Sequence, residues 1–100
     1  MQLARPWRGC AVRFEYELMR SRLTRDGLLT RPFMLIGCAM VWRWPEGGYR
    51  RVLDAYAQFM GDAPERIHAE LCRCLLAAGK EIGPEEYFGR LRKELVWDAD

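Results

Sequence analysis

The sequence predicts an all-α fold, a single compact domain of four to five short antiparallel helices. From residue 49 onwards, apolar residues recur at the three- and four-residue spacing that places them on one helix face. Only a few residues separate these segments, and such short loops make neighbouring helices antiparallel. Half of the 100 residues are hydrophobic and 30% are charged, a composition typical of one globular domain.

Residues 1–9 are expected to be a flexible lead-in, and residues 10–98 to form the domain. The first helix is predicted over residues 10–25, where Val12, Tyr16, Met19 and Leu23 share one helical stripe. Residues 12–18 also alternate apolar and charged side chains, which is a strand pattern. A glycine at position 27 and arginines just before it are typical of the end of a helix, so helix is the preferred interpretation.

Residues 33–42 form the most apolar stretch of the chain, with no polar side chain except the thiol of Cys38. We predict a helix that is buried all round, capped by Thr30 and begun by Pro32 in its first turn. The small residues at 37–39 offer a place where another helix can approach closely. Because the hydrophobic pattern alone does not separate a buried helix from a buried strand, this assignment has an alternative.

The alternative is an α+β fold. Segments 11–18 and 33–42 would then pair as an N-terminal β-hairpin, followed by a C-terminal three-helix unit. Both interpretations share the same C-terminal half.

The last three helices are predicted over residues 49–60, 63–78 and 84–97. Gly61 ends the first of them, and Gly79 ends the second. The apolar face of the first consists of Tyr49, Val52, Leu53, Tyr56, Phe59 and Met60. Each helix thus has one face to bury against the others.

Charge is distributed unevenly along the chain. Residues 1–51 have a net charge of +6, and residues 52–100 have a net charge of −4. A basic half is able to attract nucleic acid or an acidic protein face, although the two halves could equally face each other. The chain has fourteen arginines and two lysines, a bias typical of GC-rich genomes, which indicates a bacterial or phage source.

Several classes of function are disfavoured by the sequence. No apolar run reaches the ~20 residues of a membrane span, and the N-terminus lacks the apolar core of a signal peptide, so a cytoplasmic protein is expected. The four cysteines show no Cys-x-x-Cys pair and are expected to be reduced. No phosphate loop, dinucleotide fingerprint or serine nucleophile motif is present. We therefore predict no enzymatic activity, no catalytic residues, no cofactor, no metal site and no small-molecule substrate.

One pair of residues has side chains suited to catalysis or metal binding, although no known motif surrounds it. His68 lies one helical turn before Cys72, which is the spacing of a base and nucleophile or of two metal ligands. Glu65, one turn earlier, is placed to orient the imidazole. A partly exposed helix face beside the core is the simpler interpretation, and no role is assigned to the pair.

A protein-binding surface is the main functional prediction. The segment Trp42-Arg43-Trp44 lies at the end of the most buried element. It consists of tryptophan and arginine, which are among the residue types that dominate binding hot spots. Arg50 and Arg51 follow closely, so these five residues are the predicted partner-binding site. The competing interpretation is that the tryptophans cover the core and that the arginine stacks on one of them.

Nucleic-acid binding is the alternative. Its predicted residues are Arg20, Arg22, Arg25 and Arg31. A helix-turn-helix over residues 63–97 is less favoured, because Glu85 and Glu86 would meet the phosphates.

The sequence thus predicts a small non-enzymatic protein that docks on a larger protein partner or on a second copy of itself. An adaptor, an assembly factor and a phage-encoded inhibitor of a host complex, such as a CRISPR effector, all fit this description. The alternative is a nucleic-acid-binding regulator.

Overall fold

Five α-helices make up residues 13–96, the part of the chain that the computed structural model describes. They are α1 (Arg13–Asp26), α2 (Arg31–Cys38), α3 (Gly48–Met60), α4 (Pro64–Ala77) and α5 (Pro84–Leu95). A short π-helix, Ala39–Arg43, continues α2 directly and is called the π segment. The all-α prediction is confirmed.

The α+β alternative is wrong, because residues 13–18 and 33–42 are helical and no strand occurs within residues 13–96. The lead-in predicted for residues 1–9 lies outside the described residues. The same is true of residues 10–12 and 97–98, at the two ends of the predicted domain.

The core forms around α2 and the π segment. Residues 36–41 are all buried, and the π segment packs against α5. The ring of Phe33 lies 5.6 Å from that of Phe88 and meets Tyr87 edge-on at 5.8 Å. Aromatic pairs in this geometry add stabilisation beyond the area they bury. The most apolar stretch of the sequence is therefore the centre of the molecule, as its composition predicts.

The close approach predicted for the small residues occurs at Gly37. A Cβ atom built there would lie 3.1 Å from the sulfur of Met19 and 3.4 Å from the ring of Phe88. Because the distance to Met19 is tighter than ordinary van der Waals contact, even a methyl group at position 37 would require the Met19 side chain to shift by a few tenths of an ångström.

Two predicted apolar faces are only partly buried. Met19 and Leu23 of α1 are inaccessible to solvent, but Tyr16 of the same stripe is 41% exposed. In α3 the face is buried as far as Tyr56, while Phe59 in the last turn is 48% exposed. Both helices extend beyond the elements that cover them, so their ends remain in solvent. The periodicity identified the helices correctly but not the length of their contacts.

Every helix within residues 13–96 is too short or too polar to span a lipid bilayer. The radius of gyration is 12.7 Å, close to the ~13 Å expected of a compact domain of about 100 residues.

Candidate functional site

The predicted Trp42–Trp44 patch is divided between the core and the surface. Trp42 is partly buried and packs against the core, whereas Trp44 is 44% exposed. Trp44 follows the π segment, and its backbone N–H donates to the backbone carbonyl of Ala39 at 2.8 Å. Its φ of 37° lies in the left-handed region, which side chains with a Cβ avoid. This conformation ends the helical run and turns the indole outwards.

The exposed indole already has partners within the chain. The guanidinium carbon of Arg92 lies 4.9 Å from the centre of the Trp44 ring, within cation–π distance. The Nε of Arg92 also donates to the carbonyl of Val41 at 3.1 Å. Arg43 forms an ion pair with Glu15 of α1, with Nη2 and Oε1 3.0 Å apart. We call Arg43, Trp44 and Arg92 the Trp44 corner; its charges and its ring are engaged with other parts of the protein.

Arg50 and Arg51 have different surroundings from the tryptophans. Both line an open depression on α3 together with Gly47 and Asp54. Arg50 forms an ion pair with Asp54 at 3.1 Å and a longer one with Glu65 at 3.9 Å. The five predicted partner-binding residues therefore lie in three settings: Trp42 against the core, Arg43 and Trp44 in the Trp44 corner, and Arg50 and Arg51 on the α3 surface.

The four arginines predicted for nucleic-acid binding divide in the same way. Arg22 and Arg25 line a cavity of about 320 Å³ between α1 and α5, together with three acidic residues and two further basic ones, Lys80 and Arg90, and Arg22 pairs with Glu94. Arg20 and Arg31 instead line a separate groove. Because α1 turns by about 100° per residue, Arg20 and Arg22 point in nearly opposite directions.

That groove lies between α1 and α2 and has a volume of about 360 Å³. It is lined by Tyr16, Arg20, Leu29, Thr30, Arg31, Met34 and Leu35, and we call it the α1–α2 groove. Its lining surface is mainly apolar: Met34 is buried and Leu35 is partly buried, while Tyr16 and Leu29 are each exposed by more than 40%.

The connection between the two helices explains how the groove forms. Gly27 ends α1 with a φ of 75°, a conformation that glycine adopts without a steric penalty. The chain then reverses, with Leu28 fully buried and Leu29 turned towards solvent. The next helix starts at Arg31, with Pro32 in its first turn. Of these two consecutive leucines, Leu28 therefore lies in the core and Leu29 lines the groove.

No acidic residue of the described part of the chain lines this groove, whereas acidic side chains line both the cavity at Arg22 and Arg25 and the depression on α3. Arg20 and Arg31 are both exposed, and neither forms an ion pair with any other residue in the range 13–96. An apolar lining between two arginines, with no acidic residue among the described residues of the lining itself, is suited to a ligand that carries both apolar groups and carboxylates.

The apolar half of this groove was not predictable from the hydrophobic pattern. Tyr16 lies on the apolar stripe predicted for α1, and Met34 and Leu35 belong to the run predicted to be fully buried. The available signal was the pair Leu28-Leu29 directly after Gly27, because a turn rarely buries two adjacent large side chains. Among residues 13–96 no group of three or more His, Cys, Asp or Glu side chains is placed to hold a metal ion.

Comparison with known proteins identifies no relative. No protein family model, no curated protein and no solved structure matches this chain. Functional inference therefore depends on the residues described above.

Proposed function

We propose that this protein acts by binding another protein, and that the α1–α2 groove receives an acidic, amphipathic segment of that partner. One observation carries the proposal: an apolar groove lies between two exposed arginines that have no acidic partner among the described residues. An adaptor, an assembly factor and an inhibitor of a larger complex all depend on this kind of docking.

The chemistry of the groove defines its occupant. Apolar side chains of the partner would cover Leu29 and Tyr16, which are both more than 40% exposed, and removing this surface from water supplies the main driving force. Carboxylates beside them would pair with Arg20 and Arg31, whose planar guanidinium groups bind carboxylates through two hydrogen bonds at once. Tyrosine and arginine are also over-represented among residues that dominate binding energy.

Nucleic-acid binding has less support. A nucleic acid offers a row of phosphates, and its affinity depends on how many of them one basic surface neutralises. Here the four candidate arginines belong to two surfaces, and acidic side chains accompany one of them.

The test is a selection of binders from an unbiased library of random twelve-residue peptides. We expect enriched peptides to combine aspartate or glutamate with large apolar residues. A photoreactive group on the best peptide should then cross-link to residues of the α1–α2 groove, as located by mass spectrometry.

Three results would contradict the proposal. The first is enrichment of basic or uncharged peptides, and the second is cross-linking at Trp44 or at Arg50 and Arg51. The third is a dimer in analytical ultracentrifugation that Arg31→Glu dissociates, because a second copy of the chain would then occupy the groove.

A further inference from the structure

A hydrogen-bonded chain of three side chains connects α3 and α4, away from the residues that line the α1–α2 groove. His68 and Cys72 are one turn apart on α4, and the imidazole Nε2 lies 3.4 Å from the Cys72 sulfur. On the other side of the ring, Nδ1 lies 2.8 Å from the hydroxyl oxygen of Tyr49. The sequence places the histidine and the cysteine on one helix face, but only the packing of α3 on α4 adds the tyrosine.

Tyr49 fixes the orientation of the imidazole. Its ring is buried and meets the His68 ring at 5.8 Å and 62°. Glu65, which the sequence places one turn before His68, lies within ion-pair distance of Arg50 instead. With Nδ1 held by the phenol, Nε2 is the nitrogen that faces the sulfur. The arrangement is that of a nucleophile, a base and a group that orients the base.

The Tyr49 hydroxyl is able to form a hydrogen bond with either protonation state of the His68 imidazole. Burial raises the pKa of Tyr49 well above its ordinary value, and the neighbouring Cys72 and Glu85 raise it further, while Arg50 opposes them. Tyr49 therefore remains a neutral hydroxyl, which donates to Nδ1 of a neutral imidazole or accepts from Nδ1–H of an imidazolium. In the second state Nε2–H donates to a thiolate at Cys72.

A second cysteine on the same helix provides an internal comparison. Cys74 is also partly buried, but its sulfur faces the Glu70 carboxylate, with Sγ and Oε2 3.8 Å apart. Burial raises the pKa of the Cys74 thiol, and the negative charge of Glu70 raises it further. Cys38 is fully buried. Of these three free thiols, Cys72 alone combines partial exposure with a neighbouring imidazole.

We propose that Cys72 is a nucleophilic thiol that forms mixed disulfides with low-molecular-weight disulfides of the glutathione type. His68 Nε2 accepts the thiol proton, and the thiolate attacks one sulfur of the disulfide. The new sulfur–sulfur bond forms as the old one breaks, and the departing thiolate takes the proton from the imidazolium. Cys72 is thereby oxidised, half of the small disulfide is reduced to a thiol, and no other oxidant is consumed.

This inference is independent of the proposed function, because no residue of the three lines the α1–α2 groove. It assigns a modification site to the protein and describes Tyr49 as a positioning residue. The charged side chains that act on the Tyr49 phenol are Glu85 from α5 and Arg50 from α3.

The experiment treats the folded, full-length protein with oxidised glutathione and measures each cysteine separately. Trypsin cleaves after Arg73, so Cys72 and Cys74 fall in different peptides, residues 67–73 and 74–80. At about pH 6.5, where only about 1% of an ordinary thiol is ionised, we expect Cys72 to be glutathionylated at least about tenfold faster than Cys74. Cys38 reports on unfolding, since it should not react in the folded protein.

His68→Gln keeps a polar side chain of similar length but removes the base. At about pH 6.5 this substitution should lower the rate of glutathionylation at Cys72 by at least about tenfold and leave the rate at Cys74 unchanged. Near pH 9.5 ordinary thiols ionise without a base, so the difference in rate at Cys72 should nearly disappear. Tyr49→Phe should show the same pH-dependent loss to a smaller extent.

Equal rates at Cys72 and Cys74 in the unaltered protein would overturn the proposal, and that comparison requires no variant. A His68→Gln variant that leaves the rate of Cys72 unchanged at the lower pH, with Cys38 still protected, would overturn it as well.

Discussion

The α1–α2 groove and the Trp44 corner both present apolar and basic side chains to solvent, but their groups differ in whether they have partners. At the Trp44 corner, Arg92 stacks on the indole and Arg43 pairs with Glu15. In the groove, Arg20 and Arg31 have no acidic partner among residues 13–96. A partner that docked at the corner would have to replace interactions that already exist. In the groove it would add new ones.

Residue type alone therefore gives a poor ranking of binding surfaces. Tryptophan and arginine are frequent in hot spots, but they are also the residues best able to satisfy each other within one chain. The comparison between groove and corner can be tested with peptides selected from the library, and the following predictions run from the largest expected effect to the smallest.

The largest effect is expected from reversing both groove charges. The double substitution Arg20→Glu and Arg31→Glu should lower the affinity for the selected peptide by about 100-fold, because each lost arginine–carboxylate pair costs at least ~1.4 kcal/mol of binding free energy. Isothermal titration calorimetry measures the change. Arg50→Glu with Arg51→Glu alters the net charge by the same amount on α3 and should change the affinity less than about twofold. Similar losses in the two double variants would show that only overall charge matters.

Removing an apolar contact should have an intermediate effect. Leu29→Ala is expected to lower the affinity for the peptide by about tenfold, because burial of the leucine side chain on binding contributes about 1.5 kcal/mol that alanine does not supply. Leu76 is also exposed, at 68%, but lies outside the groove, so Leu76→Ala is the matched control and should bind normally. If the two alanine variants bind the peptide equally well, the groove is not its binding site.

At the Trp44 corner the expected effect is on stability rather than on binding. Trp44→Gly and Trp44→Ala both remove the contact with Arg92, but glycine accepts the left-handed conformation without the cost that alanine pays. The glycine variant should therefore be more stable than the alanine variant by about 1 kcal/mol, measured by urea unfolding. Both should bind the peptide normally; a tenfold weakening by either would return the binding site to the corner.

The smallest effect is expected with nucleic acid. Because the candidate arginines are divided between two surfaces, no more than two should contact one duplex at a time. If a mobility shift occurs at low salt, the logarithm of the affinity should fall with the logarithm of the salt concentration with a slope near −2. No shift should remain at physiological salt. A slope near −4 would mean that all four arginines act on one surface, contrary to the structure.

Much of the fold was predictable because helical periodicity is a local property. The segments 49–60, 63–78 and 84–97 agree closely with α3, α4 and α5, and glycines end α1 and α3 where the sequence indicates. The π segment was not predictable, since it depends on how α5 packs against residues 39–43. The ambiguity between helix and strand before residue 43 was resolved only by the packing.

The candidate site was predictable only in part. Arg20 and Arg31 were identified as basic surface residues, but nothing in their spacing separated them from Arg22 and Arg25. The distinction depends on Glu94, which lies more than seventy residues after Arg22 and pairs with it. In the same way, His68 and Cys72 were visible as a pair on one helix face, while Tyr49 came from another helix.

The sequence by itself determined the three helices after residue 48 and placed residues 33–41 at the centre of the protein, because burial preferences and helix-ending residues act over a few positions. The tertiary structure alone decided which surface groups lack a partner. It placed Arg92 over Trp44 and Glu15 beside Arg43, and it left the arginines of the α1–α2 groove without an acid among the described residues. Whether a charge is satisfied depends on residues far away in the chain, which only folding brings within a few ångströms.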